Sequence, residues 1–391
     1  MRVLLLGVGM QGTAALHDLY QSREVAEIIA ADLDIDALER HAAQRQYGER
    51  VKRRRFDAAD PDGLRRLMEQ RPDVVIDLLP HSLAAKVASA AVEHGVHLVN
   101  ASRADAEFKA HAAAAEARGV ALLPEFGLDP GLDLVFLGEA ARSLDEIEAV
   151  AVYGAGVPAP ADALNPIQYK VSWTFAGVLQ TYRQPARLQR EGRVVEIGGA
   201  DIFAPENTHT VDLEGLGGFE AFPNGDALEY VEALEAKASK ARNLGRYTLR
   251  WPGHCAFWRT LAGLHLLDEE PVILDGAPVD RLRFLEKAIG PHIQYGPSER
   301  DLAIVRVEVD GVKNGKACRT VIQVVDARDL ETGFTAMSRT VGFTASIGAQ
   351  MVAAGKIARR GLLSPAKDVP FGPLVEELGR RGVRISVTAD G

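Results

Sequence analysis

The first 125 residues alternate between short apolar runs and stretches with helical spacing. Residues 3–6, Val-Leu-Leu-Leu, form a continuous apolar run of the kind buried on both faces of a parallel sheet. Residues 13–20 space Ala, Leu and Tyr as a helix does, 27–31 return to strand and end at Asp32, and 35–46 are helical with Ile35, Leu38 and Ala42 near one face. A weaker strand at 51–56, a helix at 61–70 with Pro near its first turn, and a strong strand at 73–79 stopped by Pro80 follow. A helix at 83–94, a strand at 97–100, a helix at 104–118 and a strand at 120–123 complete the alternation. That order predicts a doubly wound parallel α/β sheet. Beyond residue 125 the pattern changes. A loop rich in turn formers, 125–131, precedes an apolar helix at 132–144; strand resumes at 148–152, and strand-like stretches dominate to about residue 323. Residues 302–309 and 319–326 alternate well enough to pair across 310–315, and helices at 339–360 and 365–382 close the chain. The expected divisions are 1–128 for a nucleotide domain, 129–340 for a mixed α+β substrate domain, and 341–391 for helices packing back on the first.

Gly7-Val8-Gly9-Met10-Gln11-Gly12 stands directly between the first strand and the first helix. Gly7 permits the tight turn, Gly9 lets the backbone approach a pyrophosphate, and Gly12 lets helix and strand pack closely. The helix start then offers amide N–H groups and partial positive charge to phosphates, with Met10 and Gln11 beside them. Asp32 falls about twenty residues on, where a carboxylate accepts from adenosine ribose hydroxyls. These features identify the first domain as a Rossmann dinucleotide site. A 2′-phosphate would meet Asp32 and Asp34 with no arginine adjacent, so NAD is expected over NADP. Leu79, Pro80 and His81 after the fourth strand, and Asn100 after the fifth, lie at strand ends where ligands gather and are expected on the nicotinamide side.

The chain has 391 residues, 47% hydrophobic and 25% charged, with a formal net charge of −9. An acidic total disfavours nucleic acid as a partner. The basic run Lys52-Arg53-Arg54-Arg55 reads as a solvated strand edge. Two cysteines, Cys255 and Cys318, make no disulfide framework, and no CxxC or His-rich cluster predicts a metal. The opening apolar run breaks at Gly7 before it resembles a signal peptide, and no uncharged run is long enough to span a membrane. A cytoplasmic enzyme is expected, as a homodimer paired through strands of the second domain.

Several stretches, in order, carry a family likeness: GVGMQG (7–12), GLDPGLD (127–133), NPIQYKVSW (165–173) with Gly177, Leu179 and Tyr182, FPNGDALEY (222–230), TLRWPGHC (248–255) and GFTASIGAQMVAAGKIARRGLLSP (342–365). Over nearly its whole length the chain resembles the saccharopine dehydrogenase-like family, which includes saccharopine reductase and lysine 6-dehydrogenase. The resemblance implies an NAD(P)-dependent oxidoreductase acting at a carbon–nitrogen bond of an amino acid or amine. It marks Asp129 in the DPG loop, Lys170, Ser172 and Trp173 in YKVSW, and Arg250 and His254 in TLRWPGH. Saccharopine reductases carry a Tyr-Cys-Gly-Gly stretch after the DPG helix; here Tyr153-Gly154-Ala155-Gly156 lacks the Cys. That departure turns the expectation from saccharopine itself.

Amine oxidation by hydride transfer needs a neutral amine, hence a base or a depressed pKa. His254, after the turn Pro252-Gly253, is the leading acid/base candidate, the alternative being a structural histidine. Asp129 orients the amine, serves as base, or only caps the following helix. Arg250 suits a substrate carboxylate through its two-pronged fork. Lys170 and Ser172 alternate on what reads as a strand, and Trp173 either walls the pocket or belongs to the core. Adjacent strand residues point to opposite faces, so His254 is not expected to activate Cys255. The reading is an NAD-dependent amino acid dehydrogenase, most like lysine 6-dehydrogenase. A saccharopine-type reductase is the alternative, and a non-catalytic NAD sensor is the rival from another class.

Overall fold

Six of the expected strands form in parallel: β1 (Arg2–Leu6), β2 (Glu27–Asp32), β3 (Val51–Arg55), β4 (Val74–Asp77), β5 (His97–Asn100) and β6 (Ala121–Leu123). In this computed structural model, which describes residues 1–390, they lie in the order β6-β5-β4-β1-β2-β3. A two-residue strand, Gly361–Leu362, is added in parallel outside β6. The order reverses at β1, so a crevice opens at the carboxyl ends of β1 and β4, where such sheets take ligands. Leu4, Leu6, Ile29, Ala31, Val75 and Leu98 join a core under the flanking helices, which include Pro61–Met68 and Ala84–His94. Burial on both faces is why the inner strands read as apolar runs, whereas the edge strand β3 keeps only Val51 buried and is otherwise basic.

The second sheet is mixed. Its main path runs His209–Leu213, Gly217–Pro223, Asn243–Arg250, Glu146–Pro158, Asp301–Lys313, Lys316–Ala327 and Ile385–Asp390. Asn243–Arg250 is parallel to Glu146–Pro158 and the other neighbours on this path are antiparallel. The expected strand at 148–152 is longer at both ends; at its far end Gly154, Ala155 and Gly156 supply little apolar signal while still pairing. The expected hairpin forms with a tighter turn than 310–315. Asn314 and Gly315 both take positive φ, 51° and 75°, as a two-residue hairpin loop requires.

The compact units are Met1–Gly138 with Ser338–Arg384, and Glu139–Met337 with the residues from Ile385 onward. The first division falls inside the helix Leu132–Arg142 rather than at residue 128. At Gly138 a Cβ would stand 1.9 Å from the Ala366 carbonyl oxygen, so the first half of this helix is fitted against the closing segment of the first unit. The helix Ala336–Ala353 carries Ser346, whose hydroxyl donates to the buried Asp18 at 2.6 Å, and Arg381 pairs with the same carboxylate. The segment 365–382 forms two helices, Pro365–Asp368 and Phe371–Arg380. The last residues depart from the helical expectation altogether. Ile385 to Asp390 alternate β-branched and small polar side chains and add a strand to the second sheet.

Candidate functional site

In the first unit the glycine loop has the geometry a pyrophosphate needs. Gly7 has φ 84°, and a Cβ on it would meet the Leu78 carbonyl oxygen at 2.8 Å. One on Gly12 would fall 2.0 Å from the Gly7 oxygen, whereas around Gly9 nothing lies within 4 Å. The first helix, α1 (Met10–Gln21), begins with no side-chain cap, and Met10 is 48% exposed with Gln11 half-buried beside it. Its leading amides therefore fit an anionic ligand, and these residues fit a dinucleotide. Asp32 accepts the Val8 N–H at 2.6 Å and the Asp34 N–H at 2.9 Å, so it braces the loop as well as closing β2. Asp32 also lines a cavity of about 480 Å³ with Leu33, Asp34, Ile35, Asp36 and Arg55. The expectation of no arginine near Asp32 is corrected here. Parallel pairing of β2 with β3 sets Arg55 directly opposite Asp32, although the two are far apart in sequence.

At the ends of β4 and β5, Asp77 is buried and accepts from Leu79 N–H at 3.0 Å and from the Asn100 amide at 2.6 Å. Burial pushes its carboxyl up to about 6. The other side-chain atom of Asn100 accepts the Ser102 N–H at 2.6 Å, so Asn100 shapes the strand ends with both its polar atoms engaged. Leu79 is half-buried, and Pro80 and His81 are exposed, with His81 Nε2 3.5 Å from Asp105. Asp129 is half-exposed and joined to Pro130 by a cis peptide. Asp133, not Asp129, takes the Gly131 N–H, at 2.6 Å, where the next helix starts.

The second unit gathers a buried aromatic and cationic cluster. Arg250 ends its strand only 5% exposed; Nε donates to the Tyr182 hydroxyl at 3.1 Å and Nη1 to the Leu249 carbonyl at 2.9 Å. Its guanidinium lies 4.8 Å from the centroid of the Tyr169 ring, and among the described residues it has no carboxylate partner. His254 is 2% exposed and does not stand on a strand. Gly253 takes φ 97°, and Glu220 accepts the Gly253 and Cys255 N–H groups at 2.9 and 2.8 Å, which turns the chain into the helix His254–Gly263. The Nε2 of His254 is 2.8 Å from the Tyr182 hydroxyl. Since that hydroxyl accepts from Arg250, its own proton goes to Nε2, and the histidine is a neutral acceptor. Burial, then the Arg250 charge, holds its pKa well below the ordinary value. Burial and the Glu220 charge push the Cys255 thiol up, which leaves no thiolate nucleophile.

The stretch 169–173 is a loop rather than the expected strand. Asn165 closes it by donating to the Tyr169 carbonyl at 2.7 Å and accepting the Ile167 N–H at 3.2 Å, in competition with ladder pairing. Lys170 is buried but paired with Glu299, so it is not an unengaged substrate anchor. Trp173 is 36% exposed and its ring lies over Gly177, where a Cβ would come within 2.2 Å of it; neither the core nor a closed wall holds it. Ser172 Oγ is buried without a hydrogen bond, as are Tyr169 Oη, Tyr295 Oη, His254 Nδ1 and Trp258 Nε1. Such unmet groups cost about 1–3 kcal/mol each and mark places where a ligand or water completes the set. Sequence reasoning assigned no role to Tyr169, Tyr182, Trp258, Tyr295 or Glu299. Tyr169 and Tyr182 stand within the quoted family stretch, which was the one signal available; Tyr295 and Glu299 had none.

The family model described as the saccharopine dehydrogenase NADP binding domain matches residues 3–123, and that for the saccharopine dehydrogenase C-terminal domain matches 127–383. The mitochondrial alpha-aminoadipic semialdehyde synthase of Mus musculus is 28% identical over 383 residues, covering 82% of this chain and 41% of the relative. The chain thus spans well under half the length of that relative. The saccharopine dehydrogenase [NADP(+), L-glutamate-forming] of Schizosaccharomyces pombe is 26% identical, over 84% of this chain and 87% of the relative. The apo structure of L-glutamate-forming saccharopine dehydrogenase from Saccharomyces cerevisiae superposes with a TM-score of 0.88 at 21% identity, covering 100% of both chains, and shows the same fold. Among the described residues, no helix is long and apolar enough to cross a membrane.

Proposed function

Since the chain belongs to the saccharopine dehydrogenase family, we propose that it is a nicotinamide-dependent oxidoreductase acting at the amine carbon of an amino acid. The observation that carries the substrate class is the buried guanidinium of Arg250, with no carboxylate partner among the described residues and beside Tyr169, whose hydroxyl is unmet. A buried cation in that state favours an anionic ligand, and a carboxylate matches its fork. The nicotinamide, when bound, supplies the hydride acceptor. Arg250 fixes the substrate carboxylate, Tyr169 offers a hydroxyl beside it, and Tyr182 holds the guanidinium from behind. His254, neutral and already accepting from Tyr182, is a positioning residue in this scheme rather than the base. Water then adds to the imine and ammonium leaves, giving the semialdehyde.

Among the described residues, Arg250 is the buried cation of this cluster with no carboxylate partner: Lys170 is committed to Glu299, and Arg246 donates to the Asn224 carbonyl. One anchor suits a substrate with one carboxylate, which favours lysine, oxidised at its ε-amine, over saccharopine. The names of the relatives favour the saccharopine-type reaction as the second reading. For the cofactor, Asp32, Asp34 and Asp36 around one cavity favour NAD. The reading includes a cytoplasmic homodimer, for which light scattering gives the mass of two chains. The deciding assay follows NAD(P)H absorbance with lysine, ornithine and saccharopine, repeated on Arg250→Lys. The expected outcome is turnover with one of them and a KM raised at least about tenfold in Arg250→Lys, as loss of a bidentate contact requires. Dinucleotide binding with no turnover of any amine favours the sensor instead.

A further inference from the structure

We propose that Arg55 is the residue through which this chain holds a 2′-phosphate, so that the choice between NADP(H) and NAD(H) is set by Asp32 against Arg55. The inference rests on the dinucleotide reading of the first unit and is independent of the amine chemistry.

Arg55 ends β3, directly opposite Asp32 at the end of β2, and both line the same cavity of about 480 Å³. The other charges there have work of their own. Asp34 caps the following helix by accepting the Ala37 N–H at 2.9 Å, and Asp32 takes the Val8 and Asp34 amides. Arg53 pairs with Glu39, and Arg54 donates to the Arg53 carbonyl. Of this basic run, Arg55 alone is exposed with no hydrogen bond or ion pair recorded among the described residues. A guanidinium presents a planar fork that matches phosphate, and its retention beside three carboxylates is the feature that a site built only for ribose hydroxyls does not require. Asp32 acts in the opposite sense: it accepts from ribose hydroxyls and repels a 2′-phosphate. Two opposed groups on neighbouring strand ends make a balance rather than a switch, with both dinucleotides bound.

The test is a fluorescence titration of NADPH and of NADH at fixed ionic strength, on the full chain and on Arg55→Ala and Asp32→Asn. Arg55 is on the surface, and circular dichroism of each variant checks the fold. The expected results are that Arg55→Ala weakens NADPH about tenfold or more and NADH by less than about threefold, while Asp32→Asn shifts the ratio toward NADPH. Equal weakening of both ligands in Arg55→Ala would mean that the guanidinium only stacks on adenine, and it overturns the proposal. An unchanged ratio overturns it as well. Failure of the unaltered chain to bind either dinucleotide sinks the nucleotide reading itself, a result distinct from either of these.

Discussion

At the scale of single residues, the decisive feature is a chain of three side chains: Arg250 donates to Tyr182, which donates to His254. The direction of those bonds gives each residue its part. A histidine whose Nε2 is filled by a phenol proton and whose pKa lies far below neutrality makes a poor base at pH 7. Tyr182→Phe leaves Arg250 Nε and His254 Nε2 without partners in a buried site, which costs about 1–3 kcal/mol of stability. It should raise the substrate KM roughly tenfold with kcat within about threefold, since a loosened guanidinium affects binding before chemistry. His254→Gln supplies an acceptor oxygen near the Nε2 position and should recover affinity that His254→Ala loses. A fall in kcat of about a hundredfold or more in both, with loss of a limb of the pH profile, would restore the histidine as base. The letters of this cluster were legible in the sequence: Arg250 and His254 stand in one motif, Tyr182 and Tyr169 in another. Their bond directions were not, because they depend on burial and on a helix start at Gly253 that reads as a strand turn. Arg55 was invisible for a related reason. Its neighbour is a partner across a parallel ladder, and sequence distance says nothing of that.

At the scale of elements, period and punctuation carried most of the fold. β1, β2, β4, β5 and β6 are built on short apolar runs, β3 shows only Val51 before its basic residues, and the glycine loop sits where strand passes into helix, so the sequence alone places the nucleotide crevice. Pattern failed where side chains are small. Glu146–Pro158, the middle strand of the second sheet, has Ala, Gly or Val at eight of its thirteen positions, and only 148–152 showed as strand. The helix Leu132–Arg142 illustrates the same limit: its apolar face was evident, but the close fit of its first half to the first unit depends on a missing Cβ at Gly138. Gly138→Ala would drive a methyl group to 1.9 Å from the Ala366 carbonyl. Backbone there cannot swing aside as a side chain does, so a loss of about 1–3 kcal/mol is expected, the usual range for overpacking. Urea unfolding followed by tryptophan-independent circular dichroism measures it. An unchanged midpoint would show that the helix is free to shift, and the contact would then not be what fits it to the first unit.

Across the whole molecule, acid acts in opposite senses on Asp77 and His254. Asp77 in the first has its carboxyl raised from 3.8 to about 6 by burial, so between those values the folded state holds a proton that the unfolded chain releases. Stability therefore falls as pH rises from about 4 to 6, by about 3 kcal/mol in all, and is level above. His254 in the second unit is the reverse case. Its folded pKa lies well below 6.5, so the unfolded state takes up a proton first, and stability is lost as pH falls below that value. His97 in the first unit and His209 in the second shift in the same direction as His254, each through burial, and His41 is lowered to about 4; the raised carboxyl of Asp301 in the second unit opposes them. The net curve of the intact chain is thus a sum of opposing slopes, and single variants separate them. In Asp77→Asn no carboxyl titrates at this position, so the unaltered protein should lose about 3 kcal/mol relative to the variant between pH 4 and 7. In His254→Gln the acid-side loss should diminish while the Asp77 slope stays. Urea midpoints at half-unit steps of pH give both differences. A variant curve parallel to that of the unaltered protein would mean that water reaches Asp77 and that its carboxyl titrates as an ordinary one.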